Sequence, residues 1–335
     1  MRKLIEQLCS SQCAGRRPGT AGGDAARAIV VQAFREAGLD PYEQRVAGCG
    51  GANVLAKIRG DLDRYVLVGA HFDHLGQIGR DIYFGADDNA AAVAVLVEVG
   101  RALAAERGGR GVLLAAFDAE EPPHFMTGAM GSREFLRTNR DPIDFMVCMD
   151  LVGHRFGPAS VPDEVGASLF ALGAERSRGT YDLVAALKRA EPQLIVRPAD
   201  AEIVPPLSDY EPFWKQRIPF LFLSAGRSAV YHTPYDTPDR LDHPKIAATA
   251  RWLTRFVRAA RTRPATQFMD ATLDQATLAE VGEVIAALAA LSPEAAAAQH
   301  YVQALRNACD RSGALPKGRR PELAALVSML EARLQ

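Results

Sequence analysis

Across residues 22–261 of the 335-residue chain, short apolar runs bounded by turn residues alternate with longer segments of helical periodicity. This alternation is typical of an α/β domain in which helices cover a largely parallel sheet. It predicts strands over residues 53–58, 65–70, 111–117, 145–150, 193–197 and 219–223, and helices over 22–37, 89–105, 128–136, 181–190 and 242–261. We therefore expect an α/β fold.

The character of the sequence changes after Arg263. Apolar residues there recur at helical spacing among many alanines, in two groups: Leu278, Val281, Ile285 and Leu288, then Leu323, Leu326, Val327, Leu330 and Leu334. We divide the chain into a main domain over 1–263 and a C-terminal helical appendage over 264–335. The appendage is expected to cover the core or to form a homo-oligomer contact, in preference to a catalytic role.

The charge balance excludes some partners. Lys and Arg number 39 and Asp and Glu 40, so a net charge of -1 gives no electrostatic reason to bind nucleic acid or an anionic membrane. No apolar run approaches the roughly 18 residues of a membrane span, and no export signal is visible, so we expect a cytoplasmic protein. The scattered cysteines indicate free thiols, with a Cys9–Cys13 disulfide as the alternative.

Acidic and imidazole side chains are concentrated where the predicted strands end. In open α/β sheets, ligands bind beyond the carboxyl ends of the strands. The residues at or near such positions are His71, Asp73, Asp87, Asp88, Asp118, Glu120, Glu121, Asp150 and His232. Any one of them is commonly a helix cap or a solvated loop residue. Together they predict an open hydrolytic metal site with more carboxylate than one ion needs, which favours two ions.

Several motifs in order carry a resemblance to a known family. The chain contains CAGRRPGTAGGDAARAI, VGAHFDHLG, FGADDNAAAVAVLVEV, AAFDAEEP, MGSREFL, VCMDLVG, LSDYEPF and YHTPYDTPDRLD between residues 13 and 242. It resembles the zinc aminopeptidases of peptidase family M28, which are structurally related to glutaminyl cyclases. The resemblance implies a mixed central β-sheet flanked by helices, the zinc-dependent exopeptidase or phosphorylase/hydrolase-like fold, with the helical appendage as an addition.

The resemblance also implies a set of metal ligands. These are His71, Asp88, Glu121, Asp150 and His232. One Zn²⁺ ion would take His71 and Asp150, a second would take Glu121 and His232, and Asp88 would bridge them. Relatives often hold the peptide bond between Asp88 and Asn89 in the cis form.

Catalytic roles follow from the same resemblance. Glu120 would be the general base that activates the attacking water, and Tyr231 would donate a hydrogen bond to the oxyanion, with a packed structural tyrosine as its alternative role. Asp73 would accept the second ring N–H of His71. Asp209 and, more weakly, Asp236 are similar supporting candidates. The other histidines, His74, His124, His154, His243 and His300, are expected to be surface or supporting groups.

The implied activity is hydrolysis of the N-terminal bond of a peptide or aminoacyl amide. One alternative is a single-zinc glutaminyl-peptide cyclotransferase, and a second is a non-catalytic binding protein on the same fold. The segment EEPPHFMTGAMGS, residues 120–132, is longer than the corresponding link of many relatives. Its prolines and aromatic residue are therefore expected to shape the substrate pocket.

Overall fold

An eight-stranded mixed sheet forms the centre of the protein in the computed structural model, which describes residues 1–335. The strands are β1 (Pro41–Arg45), β2 (Ala52–Ile58), β3 (Leu62–His71), β4 (Gly76–Ile78), β5 (Asp81–Tyr83), β6 (Arg110–Phe117), β7 (Ile143–Met149), β8 (Ser168–Leu172), β9 (Ile195–Ala199) and β10 (Phe220–Ser224). Their order in the sheet is β1-β2-β6-β3-β7-β10-β8-β9, and β4 pairs with β5 in a separate hairpin.

The four central strands are parallel, and antiparallel pairs flank them. β6, β3, β7 and β10 run in one direction, whereas β2 pairs antiparallel with β6, and β8 pairs antiparallel with β10. All eight residues of β6 are buried, as expected for a strand covered on both faces. The expected mixed sheet is therefore confirmed, and the carboxyl ends of the four parallel strands meet at one edge.

Helices cover both faces of the sheet. They are α1 (Arg2–Leu8), α2 (Ala21–Glu36), α3 (Ala91–Leu103), α4 (Gly131–Thr138), α5 (Asp163–Gly166), α6 (Thr180–Leu187), α7 (Glu211–Lys215), α8 (His243–Thr262), α9 (Asp274–Leu288), α10 (Pro293–Ala308) and α11 (Arg320–Leu334). Alternate strand residues point to opposite faces, so Val66 and Val68 pack towards α2, α3 and α8, while Leu67 packs towards α4, α7 and α9.

The predicted elements agree closely with these bounds. Each predicted strand and helix is present, with ends that differ by no more than three residues. The strands β1, β4, β5 and β8 and the short helices α1, α5 and α7 were not predicted, because a run as short as Ser168–Leu172 between loops has no periodicity that separates it from irregular structure. All five cysteines are free thiols, as expected. No helix has the length and apolar character needed to cross a membrane.

The C-terminal helices pack directly on the sheet. Leu278 and Val281 of α9 and Leu326 of α11 belong to the same buried cluster as Leu67 and Phe222. Charge pairs reinforce this contact, including Arg197 with Glu280 at 3.0 Å and Arg320 with Asp200 at 2.9 Å. The appendage therefore covers the core. The division at residue 263 and a homo-oligomer through these helices stay predictions.

Candidate metal centre

The five predicted metal ligands converge at the edge where the parallel strands end. His71 is the last residue of β3, Glu121 and Asp150 follow β6 and β7, and His232 lies in the loop after β10. Asp88 lies in the tight turn over Ala86–Ala90 that precedes α3. Residues distant in sequence meet there because neighbouring parallel strands present their carboxyl ends to the same crevice.

The two carboxylate oxygens of Asp88 face two different groups. Oδ1 lies 3.4 Å from Nε2 of His71, and that same nitrogen is 3.4 Å from Oδ1 of Asp150. Oδ2 of Asp88 lies 3.1 Å from Nε2 of His232, which is 3.2 Å from Oε2 of Glu121. Asp88 thus stands between a His71–Asp150 half and a His232–Glu121 half.

The unsatisfied polar atoms of this cluster fit a cation. Nε2 of His71, Oδ2 of Asp88 and Oδ1 of Asp150 are buried and have no hydrogen-bond partner. Burying such atoms without compensation is costly, and a bound cation would remove that cost. Donor atoms of His71, Asp88 and Glu121 lie within 4.8 Å of one another. Imidazole and carboxylate donors without cysteine suit Zn²⁺ in an open site.

The electrostatics of the cluster agree with a cation site. Burial raises the pKa of Glu120 well above its usual value, against the opposing effect of His71. Burial would lower the pKa of His71, but Glu120 and Asp150 raise it well above the usual value. Burial would raise the pKa of Asp88, but its contacts with His232 and His71 lower it. The imidazole and carboxylate groups of this buried cluster thus interact strongly with one another.

A buried hydrogen-bond network holds the turn that carries Asp88. Oδ1 and Oδ2 of Asp236 accept hydrogen bonds from the main-chain N–H groups of Asp87 at 2.9 Å and Asp88 at 3.0 Å. The Asp87 carboxylate in turn accepts the N–H of Gly153 at 2.7 Å and lies 2.7 Å from Nδ1 of His154. The peptide bond between Asp88 and Asn89 is cis, as the resemblance implied.

Asp73 contacts both His71 and the loop after β6. Nδ1 of His71 lies 3.3 Å from the main-chain oxygen of Asp73 and 3.6 Å from its Oδ1, so the predicted support of His71 by the Asp73 carboxylate stays a prediction. The carboxylate also accepts the N–H groups of Glu120 and Glu121, each at 3.1 Å. These bonds are available because Ala119 adopts a left-handed conformation, with φ of 60°, and turns both N–H groups towards Asp73. Asp73 therefore positions the Glu120–Glu121 pair.

The two predicted catalytic side chains lie beside the ligands. Oε2 of Glu120 is 3.9 Å from Nε2 of His71, and Glu120 lines a cavity next to the cluster. Tyr231 lines the same cavity and stacks on His232, with ring centroids 3.9 Å apart. Burial, together with Asp88 and other carboxylates, raises the pKa of Tyr231, which therefore stays protonated and able to donate.

The sequence did not identify Arg16 as a supporting residue, and it did not separate His74 from histidines at the surface. His74, grouped with surface or supporting histidines, is buried, and its Nδ1 lies 2.9 Å from Oε1 of Glu121. Arg16 is fully buried and donates to the main-chain oxygens of Phe72 at 2.7 Å and Gly85 at 2.8 Å. The glycines and proline around Arg16 indicate a turn, but no local signal separates it from exposed Arg17.

The supporting aspartates also differ from their predicted ranking. Asp209, the stronger candidate, is buried, but neither of its carboxylate oxygens has a hydrogen-bond partner. Asp236, the weaker candidate, makes the two bonds to the Asp88 turn described above. The reason is topological, since the loop after β10 returns over the start of α3 before α8 begins.

Comparisons with solved structures show the same fold. The chain superposes on the aminopeptidase LapA of Legionella pneumophila with a TM-score of 0.63 at 16% identity, over 78% of this chain and 72% of that one. A glutaminyl cyclase of Porphyromonas gingivalis gives 0.62 at 21% identity, over 77% and 96%. A Zn-dependent exopeptidase of Parabacteroides distasonis gives 0.58 at 18% identity, over 78% and 98%.

Sequence comparisons identify the family. An uncharacterized protein of Escherichia coli K12, YfbL, is 28% identical over 231 residues, which cover 62% of this chain and 68% of YfbL. The family profile described as peptidase family M28 matches residues 53–257, the segment that contains every predicted ligand. The chain belongs to peptidase family M28.

Proposed function

We propose that the protein is an aminopeptidase that hydrolyses N-terminal peptide bonds with the help of two zinc ions. The observation that carries this proposal is the placement of Asp88 between two imidazole–carboxylate halves, with Glu120 beside them. His71 and Asp150 would hold one ion, Glu121 and His232 the other, and Asp88 both. Zinc bound there supplies a Lewis acid for the scissile carbonyl and increases the acidity of water.

The side chains around the cluster supply the remaining chemistry. Glu120 would take a proton from the attacking water and later deliver it to the leaving amine, and its carboxylate lies 3.9 Å from Nε2 of His71, beside the proposed ions. Tyr231 would donate its O–H to the oxyanion that forms on the carbonyl oxygen. Asp73 holds the main chain of Glu120 and Glu121, so base and ligand keep a fixed spacing.

The substrate would be a peptide or an aminoacyl amide. A cavity of about 430 Å³ opens beside Glu120, Asp150 and Tyr231, which is within the usual size range for a small-ligand site. Pro122 and Phe125 from the long loop over residues 120–132 contribute to its wall, as the sequence led us to expect. A cytoplasmic location and the absence of nucleic-acid or membrane partners stay predictions.

Metal analysis combined with two substrate assays tests the proposal. The purified protein is expected to contain two zinc ions per chain and to release p-nitroaniline from aminoacyl p-nitroanilides. One zinc ion together with ammonia release from glutaminyl peptides would instead support the cyclotransferase. Full zinc loading without either reaction would support a non-catalytic binding protein.

A further inference from the structure

The cavity beside the candidate metal centre has one wall that the family domain does not provide. Its inner surface is largely apolar and includes Phe156, Phe170, Leu172 and Phe222 around the sheet. The remaining wall comes from α9 and α11, through residues such as Val281, Val327 and Leu330. Both helices lie outside residues 53–257, the segment that matches the family profile.

Helix α11 divides its apolar residues between the core and the cavity. Leu323, Leu326 and Leu334 are buried, and their spacing places them on one face of the helix. Val327 lies at the edge of that face and Leu330 within it, and both are half-buried and line the cavity. The core residues thus fix the helix, while Val327 and Leu330 leave apolar surface for a ligand.

A charge pair attaches α11 to the loop that carries the catalytic tyrosine and a ligand. Oε1 of Glu331 accepts a hydrogen bond from the main-chain N–H of Arg227 at 2.9 Å. Oε2 accepts one from Nη2 of the same arginine, also at 2.9 Å. At neighbouring Gly226, a Cβ atom would lie 3.2 Å from Oε1 of Glu331, so the close approach favours glycine. The pair therefore links α11 to the loop that contains Tyr231 and His232.

The charged groups of this wall are already paired. Glu331 binds Arg227, and Glu280 of α9 binds Lys188 at 2.7 Å and Arg197 at 3.0 Å. A charged substrate side chain entering here would lose its hydration without gaining a free counter-ion on the wall. An apolar side chain would instead gain free energy in proportion to the apolar surface that it buries.

We propose that α9 and α11 complete the substrate pocket and select a large apolar side chain on the N-terminal residue, with Val327 and Leu330 as specificity-determining residues. This inference rests on the proposed aminopeptidase function. It assigns the C-terminal helices a part in recognition in addition to covering the core.

Substitutions on α11 test the inference through substrate preference. The quantity measured is kcat/KM for phenylalanyl p-nitroanilide divided by kcat/KM for alanyl p-nitroanilide. Val327→Phe fills the pocket and is expected to lower this ratio about tenfold or more, and Leu330→Ala removes contact area and is expected to lower it about fivefold. Met329→Phe is the matched control, because Met329 is on the same helix but 53% exposed, and should leave the ratio unchanged.

Thermal unfolding and zinc content establish that each variant is folded and loaded. A ratio that is the same in Val327→Phe, Leu330→Ala and the wild type would overturn the inference. If the wild type cleaves neither anilide, the proposed function fails. The binding of phenylalaninamide and alaninamide, measured by calorimetry, then tests whether the pocket prefers a large apolar side chain. Preferential binding of phenylalaninamide that Val327→Phe weakens about tenfold supports the inference, whereas equal binding of both amides overturns it.

Discussion

The carboxylate of Asp236 accepts the main-chain N–H of Asp88 at 3.0 Å, so a residue from the loop after β10 holds the turn that carries Asp88 before α3. Asp236 also accepts the N–H of Asp87, and both of its oxygens are thereby used. Asp236 therefore fixes the main chain from which the Asp88 side chain extends.

Replacing Asp236 with alanine should weaken zinc binding without removing a ligand. Supporting groups of this kind typically contribute about 10- to 100-fold to metal affinity, and we expect a loss of that size in Asp236→Ala. Competition with a fluorescent zinc chelator measures it. Asp239→Ala is the control, because Asp239 is exposed in the same loop. Equal affinities of the two variants would contradict the prediction.

Glu120→Gln should separate catalysis from metal binding. The amide keeps the size of the side chain but cannot accept a proton, so we expect kcat to fall by about 100- to 10,000-fold with the zinc content unchanged. Glu121→Gln provides the contrast, since Glu121 is a predicted ligand 3.2 Å from His232 and its loss should lower the zinc content. Retained turnover in Glu120→Gln would remove Glu120 from the mechanism.

Tyr231→Phe should preserve the stacking on His232 and remove only the hydroxyl group. Loss of one oxyanion donor typically raises the barrier by about 2.7 to 4 kcal/mol, so kcat is expected to fall by about 100- to 1,000-fold. Zinc content and the KM for an aminoacyl anilide should change little. Unchanged kcat would leave Tyr231 with a packing role alone.

Arg16→Met should destabilise the protein strongly. The buried guanidinium donates to main-chain oxygens of Leu8, Phe72, Phe84 and Gly85, and its removal would leave these acceptors without partners. We expect the free energy of unfolding to fall by about 3 kcal/mol or more, measured by urea denaturation. Arg17→Met, at an exposed position, should change it by no more than about 0.5 kcal/mol.

The contribution of the Glu331–Arg227 pair to stability should depend on pH. Burial would raise the pKa of Glu331, but its hydrogen bonds to Arg227 lower it below the ordinary value of 4.5. A carboxyl group with a lowered pKa stabilises the folded state above its ordinary pKa, and that stability is lost as pH falls through the lowered value. Glu331→Gln should therefore unfold at lower urea concentration than the wild type near neutral pH, with a difference that shrinks below 4.5. A constant difference would contradict the prediction.

The sequence predicted best those candidate site residues that come directly after an apolar strand. His71 and Asp150 are recognisable because each follows an apolar run, and the parallel order of β3, β7 and β10 then brings such residues to one edge. The matching motifs identified Asp88, Glu121 and His232, and the cluster in the structure contains all of these side chains. Their roles as ligands stay a prediction.

Contacts between segments that are distant in the chain could not be predicted from the sequence. The bonds of Arg16 to Gly85 and of Asp236 to Asp88 join residues about 69 and 148 positions apart, and no periodicity encodes them. The left-handed conformation of Ala119, which turns Glu120 and Glu121 towards Asp73, is likewise invisible in a residue type that usually avoids it. The helical spacing of Val327 and Leu330 indicated a covering surface, but not which cavity that surface would meet.

The unequal exposure of the two imidazoles has a consequence for metal exchange at the proposed site. The side chain of His71 is 1% exposed, whereas that of His232 is 30% exposed. A chelator or an incoming ion would thus reach the His232 half first. On the two-ion proposal, the ion held by His232 and Glu121 would exchange faster than the ion held by His71 and Asp150.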